Sequence, residues 1–307
     1  MKKKEKAERR GDELTEEQIE AYGRWLEEEE KSKNTVEKYT RDVRGLWRYL
    51  KERGQPLTHS AVLAYKSKLV EDGYAAGSIN SMLVSLNRFF AFCNREECRV
   101  QTLRRQRRAY RAEEKELTRK EYERLVRSAE AEGNERLSLI LQTLGGTGIR
   151  ISELKYITAE AAEAGEAIIR LKGKTREILL VKKLKRLLQS YAKRHGVTAG
   201  PIFVTRTGTP IDRTNVWREM KQLCKRAGVD ARKVFPHNLR HLFARIYYGL
   251  KKDLAKLADI LGHTSVETTR IYLVTTGAEH LRYLERMQMV LTEEWSKKKA
   301  ALGRNVT

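Results

Sequence analysis

Cysteine is scarce in this chain, with three in 307 residues. That number cannot build a disulfide framework, and free thiols suit a reducing compartment, so a cytoplasmic protein is expected. Long apolar runs are missing as well. No stretch approaches the roughly 18 residues of a membrane span. The segment from Met1 to Gly11 is charged and has no apolar run behind it, so no secretory signal is expected. Phosphate loops fail too. Gly173-Lys174-Thr175 needs a glycine where Ile168 stands, and the turn Gly146-Thr147-Gly148 needs one where Ile151 stands. Cys93 and Cys98 have no matching Cys or His pair nearby, and Cys224 stands alone, so no metal site is expected. No nucleotide or other cofactor is implied.

Positive charge is abundant. The net charge is +22 at pH 7, and 40% of the residues are hydrophobic, enough for a sizeable core. Such a field favours a polyanion, either nucleic acid or an anionic membrane surface. The excess is uneven. Residues 1–98 carry 19 basic and 18 acidic side chains; residues 99–111 carry six Arg and no acid; residues 112–307 carry 38 basic and 23 acidic. A nearly neutral unit is thus joined by an Arg-rich connector to a basic unit. The connector, with Arg104, Arg105, Arg107 and Arg108, is expected to strap a phosphate backbone.

Periodicity predicts a mainly α chain with a small β-sheet. In the first unit Thr15 with Gln18 forms a capping box ahead of Ile19, Tyr22 and Trp25. Asn34 with Glu37 offers a second cap, and Gly54 ends that helix. Thr58 opens a third helix, and Ser78 a fourth through Phe89 and Phe90. A helical bundle with its aromatics in the core is expected. After the connector, Thr118 with Glu121 starts a helix, and Glu135 to Leu144 is another. Residues 167–181 read as a β-hairpin turning at Lys174-Thr175. Helices follow near 182–195, 212–227, 236–248, 253–261, 264–273 and 278–291. The expected organisation is a disordered basic tail (1–11), a helical domain (12–98), an Arg-rich linker (99–115), a mixed α+β domain (116–295) and a basic tail (296–307).

Three segments carry chemistry together: Gly146-Thr-Gly-Ile-Arg150-Ile-Ser-Glu153-Leu, Pro236-His237-Asn-Leu-Arg240, and Leu261-Gly-His263 followed nine residues later by Tyr272. His237 and Arg240 share a helix face. Arg150 follows a glycine-rich turn where a backbone can approach an anion, and Glu153 can hold a guanidinium in place. Two Arg, two His and one Tyr around an anion suit attack on a phosphodiester. The Tyr is the nucleophile, the Arg pair balances charge on pentacoordinate phosphorus, and a His moves the proton.

These segments, in order and spacing, resemble the tyrosine recombinases, the family of phage and transposon integrases and Xer recombinases. The resemblance spans roughly residues 12–292. It implies an N-terminal helical core-binding domain and a C-terminal mixed catalytic domain that close around duplex DNA. It implies catalytic roles for Arg150, Lys172, His237, Arg240, His263 and Tyr272, with Glu153 supporting. The hairpin Lys is implied as general acid to the leaving 5′ oxygen; Lys172 aligns best, and Lys174, also a DNA contact, is the fallback. It further implies a tetramer on two recombination sites, with the C-terminal helix (Leu281, Leu284, Met287) passed to a neighbour, acting without ATP or metal at the nucleoid. A type IB topoisomerase and a catalytically silent DNA-binding protein are the alternative readings.

The connector gives a first test. Converting Arg104, Arg105, Arg107 and Arg108 to Gln should weaken binding to all DNA sequences alike. Each lost phosphate contact should reduce the slope of log K against log salt by about 0.9, measured by titration at several salt concentrations. An unchanged slope would make the Arg run a solvated linker.

Overall fold

The computed structural model describes residues 13–104, 116–171, 174–263, 265–273 and 277–287. The tails expected at 1–11 and 296–307 lie outside the described residues. The chain divides into two compact units, Met1–Arg107 and Arg108–Thr307.

Among the described residues the first unit is a bundle of four α-helices. Helix α1 (Glu16–Glu28) starts at the Thr15 capping box, in which Thr15 and Gln18 exchange hydrogen bonds of 3.2 and 3.3 Å. Helix α2 (Lys33–Arg53) starts earlier than the Asn34 cap suggested. The amides of Thr35 and Val36 already bond to Ser32 O, which leaves Asn34 inside the first turn. Gly54 closes α2 in the left-handed region, as its position past the last apolar residue implied. Thr58 caps α3 (His59–Glu71). Helix α4 (Ala76–Phe92) begins ahead of Ser78, because the amides of Ser78 and Ile79 bond to Ala75 O.

Apolar burial holds this bundle. Tyr22, Leu46, Leu83, Leu86, Phe89 and Phe90 are fully buried, so these aromatics are core. One polar network ties α2 to α4: Asp42 accepts from Lys38 Nζ (2.7 Å) and from Ser85 Oγ (2.8 Å). The start of the Arg-rich segment is anchored as well. Asn87 brackets the backbone of Val100, and Asn80 brackets that of Leu103, each side chain both donating and accepting. Seven residues apart, the two Asn lie on one face of α4 and hold residues 100–103 along it. Arg104 is exposed just beyond this clamp. Arg105, Arg107 and Arg108 lie outside the described residues.

The second unit is mixed. Helices α5 (Arg119–Ala131) and α6 (Glu135–Thr147) pack on one another, and a 3-10 helix, Ile151–Tyr156, follows α6. A short α7 (Ala159–Ala164), capped by Thr158, was not anticipated from the sequence. Strands β1 (Glu166–Leu171) and β2 (Lys174–Leu179) pair antiparallel, with Leu171 opposite Lys174. Lys174 and Thr175 therefore belong to β2 rather than to the turn. The connecting Lys172 and Gly173 lie outside the described residues. Then come α8 (Lys182–Arg194), α9 (Arg213–Ala227), α10 (Pro236–Lys251), α11 (Leu254–Leu261), α12 (Val266–Arg270), a 3-10 turn over Ile271–Leu273, and α13 (Gly277–Met287).

Helix α6 is the central element here. Leu137, Leu139, Ile140, Leu141 and Leu144 are buried, and α5, α8, α9 and α10 pack around it. The inner face of the hairpin (Ala167, Ile169, Ile178) joins the same core. A smaller satellite core gathers Ala244, Leu257, Leu261 and Tyr272 where α10 meets α11. Helix α13 leaves Leu281, Leu284 and Met287 exposed.

Phe89 tests the first core. It meets Tyr22 edge-on at 5.2 Å between ring centroids. Phe89→Ala should lower stability by about 3–5 kcal/mol, read from denaturant titration. A loss near zero would mean the bundle is not held by this aromatic layer.

Candidate active site

The site forms where four chain ends meet. Helix α6 stops at Gly148, which has φ +66°. A Cβ there would collide with the ring of Phe243, so glycine is required both by conformation and by space. Arg150 follows as the cap residue of the 3-10 helix. Pro236 occupies the first position of α10, and His237, Arg240 and His241 come from its first turns. Helix α11 ends at Gly262, φ +65°, and His263 follows. Tyr272 sits in the 3-10 turn after α12.

Arg240 is the largest fully buried side chain among the described residues. Its guanidinium crosses three segments. Nη1 donates to Gly148 O (2.7 Å), and Nη2 donates to Leu261 O (2.6 Å) and to His263 Nε2 (2.8 Å). Its Nε is buried with no partner among the described residues. Burial, and then the cation of Arg150, push its pKa down to about 10, so it stays charged at neutral pH.

Helix ends explain why two arginines converge here. The last carbonyls of an α-helix have no partner within it and carry partial negative charge. At the end of α11 these carbonyls are taken by arginines: Leu261 O by Arg240 and Ile260 O by Arg176 Nη1 (3.1 Å). Arg176 comes from β2 and also donates to Glu153 Oε2 at 2.6 Å. Glu153 is 1% exposed and accepts from Arg150 as well, through its backbone N (2.7 Å) and Nη1 (2.9 Å). Glu153 is thus a buried carboxylate held between two arginines.

Arginine has no acceptor, so His263 must accept at Nε2 and carry its proton on Nδ1. Nδ1 then donates to Thr269 Oγ1 at 2.8 Å, and Thr269 is fully buried. Burial and the cations of Arg240, Arg150 and Arg176 push the His263 pKa from 6.5 down to about 4. The imidazole is neutral near pH 7. Between those two values the unfolded chain binds a proton that the folded chain does not, so this group removes stability as pH falls from 6.5 to about 4.

Tyr272 is 6% exposed. Its ring lies among three imidazoles, with centroids 4.2 Å from His241, 5.1 Å from His263 and 5.5 Å from His237, and the Arg240 Cζ is 5.9 Å from its centre. A cavity of about 780 Å³ adjoins the cluster and is lined by Arg150, Ser152, Arg213, Trp217, His237 and Arg240, among others.

Arg150, Glu153, His237, Arg240, His263 and Tyr272, named from sequence, come together in this one region. Lys172 lies outside the described residues, and of Lys174 only the backbone, at the start of β2, is described. Three residues escaped the sequence reading. Arg176 stands at an inward register position of β2, where alternation with Ile178 and Leu180 flags an anomalous charge. His241 lies one helical turn beyond His237. Thr269 carries no sequence signal. Among the described residues no group of three or more His, Cys, Asp or Glu could hold a metal ion.

Two family models match. Residues 19–97 fit the phage integrase N-terminal SAM-like domain, and residues 115–278 fit the phage integrase family. The chain is 31% identical over 278 residues to tyrosine recombinase XerA of Pyrococcus furiosus, covering 88% of this chain and 93% of that one. It is 30% identical to tyrosine recombinase XerD of Xanthomonas campestris, covering 82% and 85%. A lambda integrase tetramer bound to a Holliday junction shares the fold, with a TM-score of 0.66 and 19% identity over 83% of this chain and 76% of that one. With both family models in chain order and relatives matched over most of their length, the chain belongs to the phage integrase family of tyrosine recombinases.

Proposed function

We propose that the chain is a site-specific recombinase that cuts and rejoins duplex DNA through a 3′-phosphotyrosine at Tyr272. One observation supports this most: the buried guanidinium of Arg240 has an unpartnered Nε, lines a cavity with Arg150 and His237, and lies against the ring of Tyr272. A buried donor left unpaired costs about 1–3 kcal/mol. A phosphodiester in the cavity would recover it.

In the reaction the phenolic oxygen attacks phosphorus, a P–O bond to Tyr272 forms, and the bond to the 5′ oxygen breaks. Arg150 and Arg240 offset the charge on the pentacoordinate phosphorus. His263 is poorly suited to take the phenolic proton. Its Nε2 lone pair is engaged by Arg240, and a pKa of about 4 makes it a weak base. It holds Arg240 instead. His237, which lines the cavity, takes the proton. Lys172 gives a proton to the departing 5′ oxygen, with Lys174 as the fallback. Attack by another 5′ hydroxyl reverses the step and joins strands. The phosphotyrosine conserves the bond energy, so the reaction needs no ATP, and the arginine pair does the work a metal would do.

The lambda integrase structure holds a tetramer on a Holliday junction. By the same reading this chain assembles as a tetramer on two duplexes. The exposed Leu281, Leu284 and Met287 of α13 dock in a neighbouring copy. Arg104, Arg105, Arg107 and Arg108 strap the backbone between a DNA-binding domain at 12–98 and a catalytic domain at 116–295, in the cytoplasm at the nucleoid.

The nucleophile is tested on a duplex nicked beside the cleavage site. Wild type should give an SDS-resistant complex, and Tyr272→Phe should bind the duplex without forming one. Covalent capture by Tyr272→Phe would move the nucleophile elsewhere and defeat the proposal.

The arginines should separate in a second experiment. Arg150→Ala should slow cleavage about 10²- to 10³-fold, as expected for losing one preorganised donor to a developing anion. Its side chain is 41% exposed and Glu153 keeps Arg176 as a partner, so the melting temperature should fall less than it does for Arg240→Ala. Arg240→Ala should slow cleavage and also lower the melting temperature, since it strips three buried hydrogen bonds. Equal melting temperatures for the two variants would contradict the cross-linking role of Arg240.

A further inference from the structure

Arg176 occupies a place where a charged side chain is costly. It pairs with Ile169 across the hairpin and alternates with Ile178 and Leu180, both buried. Its side chain is only 12% exposed. An inward-facing guanidinium on an apolar strand face persists only when its donors are satisfied. Nη1 and Nη2 go to two groups from distant parts of the unit: the carbonyl of Ile260 and the carboxylate of Glu153. Gly262 makes the second contact possible. A Cβ there would stand 2.7 Å from Arg176 Nη1.

The charge balance around Glu153 gives this arrangement a purpose. Glu153 has one negative charge and lies beside Arg150. Alone with Arg150 it would neutralise the cation that the phosphate requires. Arg176 adds a second cation on the same carboxylate oxygen that accepts the Arg150 backbone amide. The trio keeps a net positive charge, and the Arg150 backbone is fixed where the 3-10 helix begins. The other end of the Arg176 fork reaches the last turn of α11, directly before Gly262 and His263. Arg176 also follows Lys172 by only four residues along the hairpin.

We propose that Arg176 is a positioning residue for the transesterification: it holds Glu153, and through it Arg150, in one frame with the Leu261–His263 segment that seats Arg240. This rests on the recombinase reading above. Arg176 acts through these neighbours rather than on the phosphate.

The test uses the full chain and the nicked duplex. Arg176→Met and Arg176→Lys are compared with wild type for first-order covalent capture at saturating DNA, half-site affinity, melting temperature and the pH profile of capture. Arg176→Met should lose roughly 100-fold in capture rate, the scale of a small misplacement of reacting groups, while half-site affinity stays at the wild-type level. The pH profile separates positioning from plain structural support. His263 is faced by Arg240 and His237 from α10, Arg150 from the 3-10 helix, Arg176 from β2 and Tyr272 from its own turn. Protonating it would set two cations against each other at Arg240. Wild-type capture should therefore show an acid limb toward about pH 4 from His263, separate from any limb set by His237 as the proton acceptor. Removing the Arg176 cation should move that limb to higher pH. Arg176→Lys, which keeps the charge but lacks the planar fork, should restore the limb and recover only part of the rate.

Wild-type capture by Arg176→Met, or a slower rate with an unmoved acid limb, overturns the proposal. If Arg176→Met does not fold, Arg176→Lys decides: capture at the wild-type rate overturns it, and slower capture with an unmoved limb and unchanged melting temperature supports it. Tyr272→Phe runs beside both. Capture by that variant defeats the recombinase reading itself, whereas its loss beside normal capture by Arg176→Met removes only the role of Arg176.

Discussion

The buried guanidinium of Arg240 is the contact on which the second unit's working end depends. Desolvating a cation is expensive unless its donors find acceptors. Arg240 finds them on Gly148, Leu261 and His263, three points far apart in sequence. The end of α6, the end of α11 and the segment leading to Tyr272 are thereby tied to α10. Local features prepare each acceptor. Gly148 lets α6 end close against Phe243, the terminal carbonyls of α11 have no partner within their own helix, and Thr269 holds the His263 proton on the nitrogen that faces away from Arg240.

Around that contact the cluster carries an excess of positive charge. Three arginines surround one buried carboxylate, Glu153, which pairs with Arg150 and Arg176, and a neutral imidazole, which pairs with Arg240. The imbalance is positive, and the pKa values of Arg240, Arg176 and His263 are depressed first by burial and further by neighbouring cations. Under the proposed function that excess positive charge faces the DNA phosphate. The ring of Tyr272 completes a small apolar core with Ala244, Leu257 and Leu261, and it also faces the Arg240 guanidinium.

Much of this was legible in the sequence, because the relevant signals are local. Thr15 with Gln18 and Thr118 with Glu121 marked helix starts by side-chain chemistry alone, and Gly54 marked a stop. Where the cap was backbone only, at Ser32 and Ala75, the neighbouring Asn34 and Ser78 misled the reading by two and three positions. The motif residues could be read because their spacing is short within each segment. What could not be read was pairing between segments. Nothing near Arg176 in sequence announces Glu153 or Ile260, and a lone Thr269 gives no hint that it receives the His263 proton. The burial of Arg240 was hidden for the same reason, since its acceptors are main-chain atoms that no residue type reveals.

That last point bears on how freely this protein can vary. A carbonyl is supplied by every amino acid, so replacing Ile260 or Leu261 alters packing but leaves the acceptors of Arg176 and Arg240 in the chain. The seat of the guanidinium is in this sense written in the backbone path, and side-chain drift at those positions does not erase it. Its weak points are the two glycines. Gly148 and Gly262 have left-handed backbones, and a methyl group at either would meet Phe243 or Arg176. Mutational tolerance at this site should follow main-chain geometry more closely than the chemical class of the residues that supply the acceptors.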